Sequence, residues 1–389
     1  MWARGEPASV LVLYSDTGGG HRAAAKALVA ALREVDPSVR VATCDPLMGE
    51  GSAAVRKVVS SYPWIITQAQ PLWGVIYHAT NTRPTWVALR TSFTRQVRQV
   101  VGRKLAALDP DLVVSVHPLV TQPAWRAIQR SGRRRGLMTV VTDLVDIHRS
   151  WAFPNIDRLV VPTLEAWEVV TGYGVPRESV RLLGLPVDLR FRPPEPGEPE
   201  ALRRRLGLSE SRQTVLVMGG GEGSGRLLQQ VRALAWPAHD WQVIAVCGRN
   251  ERLRRRLSRV HFRTPTLVLG FVDTVPELLR ASDLVVTKAG PGAIAEALAT
   301  QVPMVLTGHL PGQEAPNVRF VTHTGVGLHA PRPDILQMAV DYLLADGGVE
   351  ARAMSRRAAE IAHPHAALDI ARECLALATR YGAASQARR

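Results

Sequence analysis

The feature that most restricts the fold of this chain is a buried strand followed at once by a glycine turn and a helix. It is clearest at residues 284–298, where an apolar, β-branched run leads through a turn into Pro291. Proline is favoured at the first helical position because its missing N–H would be unpaired there anyway. Such a turn presents free N–H groups and the positive end of the helix dipole, so the stretch suits a phosphate.

The helix after this turn carries one acidic side chain of interest. Glu296 lies four residues beyond Gly292, on the same helix face. Its carboxylate could therefore accept hydrogen bonds from a ribose while the turn holds the phosphates. A tight turn followed by a first-turn Glu that only complements the helix dipole is the alternative interpretation.

The same pattern recurs on both sides of a proline-rich segment and predicts parallel α/β sheets. Residues 193–199 hold four prolines in seven positions, which is typical of a semi-rigid spacer and excludes a helix or a central strand there. We therefore predict a first domain at residues 1–192, a linker at 193–200 and a second domain at 201–364. The predicted strands are 9–15, 112–117, 137–143 and 159–163, then 214–218, 241–247, 266–269, 284–286 and 303–307.

The first predicted strand ends in a glycine turn, residues 16–20, and a helix follows over 21–34. His21 continues the apolar helix stripe of Ala25, Leu28 and Leu32 up to the tip of the strand, which predicts an imidazole at the mouth of a crevice. The helix dipole disfavours a cation there, so the ring should be neutral near pH 7 and able to take a proton. A helix-start histidine bonded to the backbone is the alternative.

Two further polar residues, Asp143 and His148, lie at or just after the carboxyl end of a predicted strand. Ligands of open α/β sheets bind at that end, although each residue could equally be structural.

Composition restricts the class of protein and its location. Hydrophobic residues make up 46% of the chain, but no apolar run approaches the length of a membrane span. The charged N-terminus argues against a secretory signal, and Cys44, Cys247 and Cys374 have no metal-binding spacing. We therefore expect a reduced, cytoplasmic setting.

The net charge of +14 predicts attraction to a polyanion, whether nucleotide, nucleic acid or an anionic bilayer. Residues 62–86 interleave Trp64, Trp73 and Trp86 with prolines and isoleucines. Amphipathic rings suit an interface that is apolar on one side and wet on the other, whereas a packed loop core is the alternative. We therefore expect peripheral attachment to the inner face of the cell membrane.

The glycine-rich turns at residues 16–20 and 219–225 are not nucleotide-binding signatures by themselves. No Walker A sequence is present, and residues 219–225 lack the partners of a hydride-cofactor fingerprint.

Several motifs in order, however, resemble the monogalactosyldiacylglycerol synthase family, whose relatives include processive diacylglycerol glucosyltransferases. They are Ser-Asp-Thr-Gly-Gly-Gly-His-Arg at 15–22, Gly-Gly-Gly-Glu-Gly at 219–223, Cys-Gly-Arg-Asn at 247–250, Lys-Ala-Gly-Pro-Gly-Ala-Ile-Ala-Glu at 288–296, and residues 311–314 with Asn317.

The resemblance implies the GT-B fold, with two Rossmann-like doubly wound domains facing each other across a cleft. It implies an inverting transfer of galactose or glucose from a UDP-sugar to diacylglycerol or a similar lipid, without a cofactor or a metal for the chemistry. It also implies that residues 365–389 form a helix returning to the first domain, which the apolar stripe Ala366, Ile370, Cys374 and Leu377 permits.

The site residues expected from these motifs fall into three groups. The catalytic pair is His21 and Asp143. The donor-binding group is Gly219, Gly220, Gly221, Gly223, Arg249, Phe271, Val272, Gly290, Gly292, Ala293, Glu296, Gln313, Glu314 and Asn317. The acceptor-binding group is Gly19, Gly20, Trp64, Trp73, His148 and Trp151.

By resemblance, Phe271 and Val272 border the uracil, Glu296 the ribose, and Gln313 and Glu314 the sugar hydroxyls. Two functions from other classes stay open at this point, a UDP-sugar 2-epimerase of the same architecture and a non-enzymatic nucleic-acid binder. The second is disfavoured because the basic residues are not interleaved with an aromatic stacking platform.

Overall fold

The computed structural model describes residues 7–16, 19–50, 56, 69–219 and 226–386. The chain divides into two compact units. The first comprises residues up to Leu189, together with Pro311–Gln313 and the residues from His365 onward; the second comprises Arg190–Leu310 and Glu314–Pro364.

The first unit contains a parallel six-stranded sheet in the order β2-β1-β3-β4-β5-β6. Alternate residues of its central strands point to opposite faces, and helices cover both. Leu11 and Leu13 pack in one apolar cluster, whereas Val10 and Val12 pack in another. Burial on both faces explains the continuous apolar runs of these strands. The strands are β1 (Ser9–Leu13), β2 (Arg40–Cys44), β3 (Leu112–Ser115), β4 (Gly136–Val140), β5 (Arg158–Val161) and β6 (Val180–Leu182).

The helices of the first unit include two that fall in and after the aromatic window. The described part of that window is largely helical rather than loop: it falls in α2 (Gln70–Thr80) and the start of α3 (Arg83–Leu108), and the proline of each helix lies in its first turn, where proline is tolerated. The helices are α1 (Gly20–Val35), α2 (Gln70–Thr80), α3 (Arg83–Leu108), α4 (Thr121–Arg130) and α5 (Leu164–Gly172), with a 3₁₀ turn at Arg149–Trp151.

The second unit contains another parallel six-stranded sheet, in the order β12-β11-β10-β7-β8-β9. The two sheets together confirm the predicted α/β fold class. The strands are β7 (Thr214–Met218), β8 (Gln242–Val246), β9 (Thr266–Leu269), β10 (Leu284–Thr287), β11 (Met304–Leu306) and β12 (Gly327–His329). The helices are α6 (Glu198–Arg205), α7 (Leu227–Ala235), α8 (Glu251–Leu257), α9 (Val275–Arg280), α10 (Pro291–Ala299), α11 (Ala315–His323), α12 (Pro333–Leu344) and α13 (Val349–Ile361).

The proline-rich segment is shorter than expected. Residues 191–195 have no regular structure, but α6 begins at Glu198 with Pro199 in its first turn. A proline is tolerated there because the first helical N–H groups have no intrahelical partner. Glu198 also anchors the segment, since its carboxylate accepts hydrogen bonds from Arg192 at 2.9 and 3.0 Å and from Arg280 at 2.9 Å.

The last helix, α14 (Ala366–Gln386), packs on the first unit against α1, β1, β3 and β4. Its stripe of Ala366, Ile370, Cys374 and Leu377 is at most 4% exposed. Two polar contacts fix its outer side: Arg158 donates to Glu373 at 2.5 Å, and Tyr381 donates to Asp157 at 2.5 Å. Across the described part of the chain, none of the helices combines the length and the hydropathy that crossing a membrane requires.

Candidate functional site

The turn after β1 presents the start of α1 at the carboxyl edge of the first sheet. Gly19 caps the helix with φ +89°, a conformation that favours glycine, and a side chain added at Gly19 or Gly20 would meet open space. The turn is tied down on the protein side, because the Asp16 N–H donates to Asp45 at 3.0 Å and Arg22 donates to Asp16 at 2.8 Å.

His21 lies in the first turn of α1 and is held on several sides. Its Nδ1 is 2.8 Å from the Thr142 hydroxyl, and its ring centroid is 4.5 Å from that of His117 and 5.9 Å from that of Trp151. His21 is partly exposed as a whole residue. Burial lowers the pKa of its ring to about 4, against a smaller opposing effect of a hydrogen bond to the Val116 backbone. The ring is therefore neutral near pH 7, as predicted, although burial is the main cause.

Asp143 follows β4 and is 8% exposed. One carboxylate oxygen accepts the Trp151 indole N–H at 2.7 Å, and the other accepts the Gln313 amide N–H at 3.0 Å. Each oxygen thus already holds a side chain. Trp151 itself is 0% exposed, so the expectation that its ring contacts an acceptor is not met. Its indole instead packs in the core and orients Asp143.

His148 is also engaged by the protein. Its Nδ1 accepts the Ser150 N–H at 3.1 Å, which places the ring proton on Nε2, 3.2 Å from the Thr80 hydroxyl. Burial lowers its pKa to about 4. Trp73 is partly buried, with its ring 6.4 Å from that of Tyr77. Trp64 lies outside the described residues.

Three histidines with lowered pKa values predict acid sensitivity. His21, His117 and His148 all have depressed pKa values, chiefly through burial, whereas an unfolded histidine titrates near 6.5. Below about pH 6.5 the unfolded chain binds protons that the folded chain does not, so the neutral rings' contribution to stability is present above that pH and is lost as the pH falls toward 4. Each ring changes the free energy of unfolding by about 1.4 kcal/mol per pH unit in that window.

Urea unfolding of the full chain at pH 7, 6 and 5 should therefore show a falling midpoint. His148→Asn, which keeps an acceptor for the Ser150 N–H but has no titrating ring, should show a shallower fall. An unchanged midpoint between pH 7 and 5 would contradict this account.

In the second unit the turn after β10 leads into α10, which begins at Pro291 as predicted. Gly290 caps it in an extended conformation, and a side chain added at Gly292 would meet nothing within 4 Å. Gly292 and Ala293 are partly exposed, and helix geometry leaves their N–H groups without intrahelical partners.

No acidic residue lies in the first turn of α10, so the alternative of Glu296 as a first-turn dipole partner is wrong. Glu296 lies in the second turn and is partly exposed.

Glu314 and Asn317 brace this turn. Glu314 is 4% exposed, and its two oxygens accept hydrogen bonds from Lys288 at 2.6 Å and from the Leu310 N–H at 2.7 Å. Asn317 is 2% exposed and donates to the Ala289 carbonyl at 2.9 Å. The carboxylate of Glu314 thus helps to hold the loop, and its assignment to the sugar hydroxyls stays a prediction. Gln313 donates to Asp143, as described above.

An exposed cation–π pair lies just after the strands β8 and β9 of this sheet. The Arg249 guanidinium carbon stands 4.7 Å from the centroid of the Phe271 ring, and Phe271 is 59% exposed. Such a stacked, solvent-facing pair offers a flat surface to a base. Val272 is partly exposed and Gly219 is buried at the end of β7. Gly220, Gly221 and Gly223 lie outside the described residues.

Sequence reasoning missed two residues of the first unit, His117 and Thr142. Both contact the His21 ring. Only their position in the sequence could have indicated them, because each is one of the last two residues of a predicted strand, 112–117 or 137–143. Within the described ranges, no group of three or more His, Cys, Asp and Glu side chains could hold a metal ion.

Comparison with solved structures identifies the fold. The UDP-glucosyltransferase from Polygonum tinctorium, described as capable of glucosylating indoxyl, matches with a TM-score of 0.62 and 14% identity, covering 97% of this chain and 99% of that chain. MurG of Acinetobacter baumannii matches with a TM-score of 0.61 and 14% identity, covering 95% and 99%. The shared fold is GT-B.

Two family models match the sequence. One, monogalactosyldiacylglycerol (MGDG) synthase, matches residues 21–187, and the other, the glycosyltransferase family 28 C-terminal domain, matches residues 214–366. Fold and family model together define a UDP-sugar-dependent glycosyltransferase.

Among curated proteins, monogalactosyldiacylglycerol synthase 1 of Arabidopsis thaliana is 33% identical over 374 residues, which are 94% of this chain and 70% of that protein. The chain belongs to the monogalactosyldiacylglycerol synthase family. Membership decides in favour of a glycosyltransferase over a 2-epimerase or a nucleic-acid binder.

Proposed function

We propose that the protein transfers a hexosyl group from a UDP-sugar to the hydroxyl of diacylglycerol, with inversion at the anomeric carbon. The observation that carries the proposal is the His21 site, a neutral and partly exposed histidine whose Nδ1 contacts the Thr142 hydroxyl at the carboxyl edge of the first sheet. The relatives' names favour galactose as the sugar, and glucose is the alternative.

In the proposed reaction the acceptor oxygen forms a bond to the anomeric carbon while the bond from that carbon to the UDP oxygen breaks. An alcohol is a poor nucleophile near neutral pH, so its proton must move to a base during the attack. We assign that role to His21. Asp143 is the rival candidate, with each of its oxygens accepting one hydrogen bond from a protein N–H group.

The second unit supplies the donor groups in this proposal. The N–H groups at Gly292 and Ala293 face negative charge on the diphosphate, Glu296 bonds the ribose, and Phe271 with Val272 borders the uracil. Lys288 and Glu314 keep the loop beside α10 in place.

Product analysis by thin-layer chromatography tests the function. Diacylglycerol and ceramide are each incubated with UDP-galactose and UDP-glucose, with and without EDTA. We expect one glycosylated diacylglycerol whose anomeric proton shows the β configuration. Because we propose that no metal takes part in the chemistry, the EDTA arm should give the same yield. An α-linked product would contradict inversion, and transfer only to ceramide would contradict the acceptor.

We also propose that the protein attaches peripherally to an anionic membrane surface. The packed helices α3 and α4 bring together Arg95, Arg98, Arg126 and Arg130. Partial burial, followed by the positive charges of Arg130, Arg126 and Arg95, lowers the pKa of Arg98, as expected for a concentrated positive patch. Anionic lipid relieves such repulsion.

An apolar surface lies on the neighbouring helix. On α2, Leu72 is 51% exposed and Val75 is 66% exposed, whereas Tyr77 is 3% exposed with its hydroxyl bonded to the Asp146 carbonyl. The aliphatic residues, and not this ring, are therefore available to a bilayer. Stable attachment needs two signals, which the arginines and these aliphatic side chains supply.

Co-sedimentation with liposomes tests the attachment. Binding should be stronger to anionic than to neutral liposomes and should weaken with salt. Each arginine near the surface contributes about 1 kcal/mol, so Arg98→Ser with Arg126→Ser should weaken binding by about 10- to 30-fold. The matched control is Arg255→Ser with Arg256→Ser on α8, both exposed in the second unit, which should leave binding unchanged. Equal binding to neutral and anionic liposomes would remove the electrostatic argument.

A further inference from the structure

A second histidine lies beside His21. His117 follows β3 and is 4% exposed, and its ring meets that of His21 edge-on, at 4.5 Å between centroids and 61° between planes. Nothing in the reaction proposed above uses it. A buried imidazole in contact with the proposed base needs a reason, because burying a polar ring has a free-energy cost.

The segment that carries His117 is fixed by buried hydroxyl groups. Ser115 donates to the His117 carbonyl at 3.0 Å, and Thr121 donates to the Ser115 hydroxyl at 2.9 Å. The Thr139 hydroxyl lies 3.3 Å from that of Thr121. All three hydroxyl residues are at most 1% exposed, so the network has no alternative partners in water.

The His117 ring is fixed as well. Its Nδ1 accepts the Leu119 N–H at 3.3 Å, so the neutral ring carries its proton on Nε2. His21 is thus bounded on two sides, by the Thr142 hydroxyl at Nδ1 and by the edge contact with His117. A ring bounded in this way has little freedom to rotate about its side-chain bonds.

We propose that His117 is a positioning residue, which fixes the His21 imidazole and excludes the water that would solvate its protonated form. This inference rests on the proposed role of His21 as base. It assigns to the buried hydroxyl network the task of holding His117 in place.

The electrostatics agree with the geometry. Burial and then the charge of His21 lower the pKa of His117 well below its ordinary value, so only His21 of this pair takes a proton. Asp16 and Arg22, on either side of His21 in the sequence, form an ion pair with each other, and Asp143 is bonded to Trp151, whose ring centroid is 5.9 Å from that of His21. None of these is altered by a substitution at His117.

The test is His117→Asn, whose amide oxygen keeps an acceptor for the Leu119 N–H but removes the ring. With histidine labelled for NMR, the pKa of His21 should rise from about 4 toward its ordinary value of 6.5 as water enters. Turnover should fall by about 10- to 100-fold with the KM for the UDP-sugar unchanged, because a misplaced base affects chemistry rather than donor binding. The acid limb of the pH–rate profile should move to higher pH in parallel.

His117→Gln is the second variant and serves if the first unfolds, as judged by thermal denaturation. His148→Asn is the matched control, since it also removes a partly buried ring and keeps an acceptor for the backbone N–H, and it should leave the His21 titration unchanged. An unchanged His21 pKa in both His117 variants overturns the inference. The NMR measurement uses no substrate, so an active His21→Ala enzyme would overturn the base assignment alone.

Discussion

His21→Ala is expected to lower turnover by about 100-fold or more while leaving UDP affinity unchanged. The acceptor hydroxyl loses its proton as it attacks, and general-base help of this kind typically contributes about 10²–10⁴-fold. UDP affinity should be unaffected because the residues assigned to the nucleotide, Phe271 and Glu296 among them, belong to the other unit. A substitution that lowers the turnover rate without changing UDP affinity removes an interaction that acts in the chemical step and not in donor binding.

The measurement is steady-state kinetics with diacylglycerol, together with calorimetry of UDP binding. His261→Ala is the matched control, because His261 is exposed and belongs to the second unit, whereas the His21 cluster belongs to the first. Its turnover should equal that of the unchanged protein. If His21→Ala keeps near-normal turnover and Asp143→Ala does not, the two roles are reversed.

The pH dependence of the reaction rate follows from the titration of the His21 ring. With a pKa of about 4, His21 is uncharged over the range in which an ordinary histidine titrates. The rate should therefore show no acid limb near pH 6.5 in the free enzyme and should fall only as the pH approaches 4.

Glu296→Ala is expected to raise the dissociation constant for UDP by about 10- to 150-fold. Hydrogen bonds to a charged group contribute about 1.5–3 kcal/mol, and those to the ribose hydroxyls are lost. The position of Glu296 in the second turn of α10, beyond the partly exposed Gly292, supports this assignment. Glu296→Gln keeps one acceptor oxygen and should have a smaller effect.

The dissociation constants are measured by calorimetric titration with UDP, with no acceptor present and no reaction taking place. Glu360→Ala on α13, exposed and in the same unit, is the control for the loss of one negative charge. UDP affinity that is the same in Glu296→Ala and in the control would remove the ribose assignment.

The strands that were predicted from the sequence and the strands that were missed lie at different places in the sheets. The central strands were predicted because they are buried on both faces and therefore read as continuous apolar runs. Those missed, β2, β6 and β12, are all edge strands. The strand β2 has only one buried residue, Cys44, because an edge strand is covered on fewer sides. Its sequence therefore lacks the pattern from which a strand is predicted.

Local sequence determined the start of α1 and α10, the glycine turns before them and the placement of His21 beside a strand end. These depend on backbone chemistry within a few residues, since Gly19 permits a positive φ and Pro291 suits the first helical position. The order of motifs likewise indicated the family and the fold class. Each of these conclusions needed only neighbours along the chain or a pattern of known spacing.

Tertiary structure alone decided which side chains meet at the site. Thr142 reaches His21 across 121 residues, and Gln313 reaches Asp143 across 170. It also decided that Trp151 and Glu314 are buried, where their polar atoms hold Asp143 and the loop beside α10. Parallel strands bring their carboxyl ends to one edge, but the residue facing each partner there depends on strand order, register and rotamer, and these are set by packing over the whole sheet.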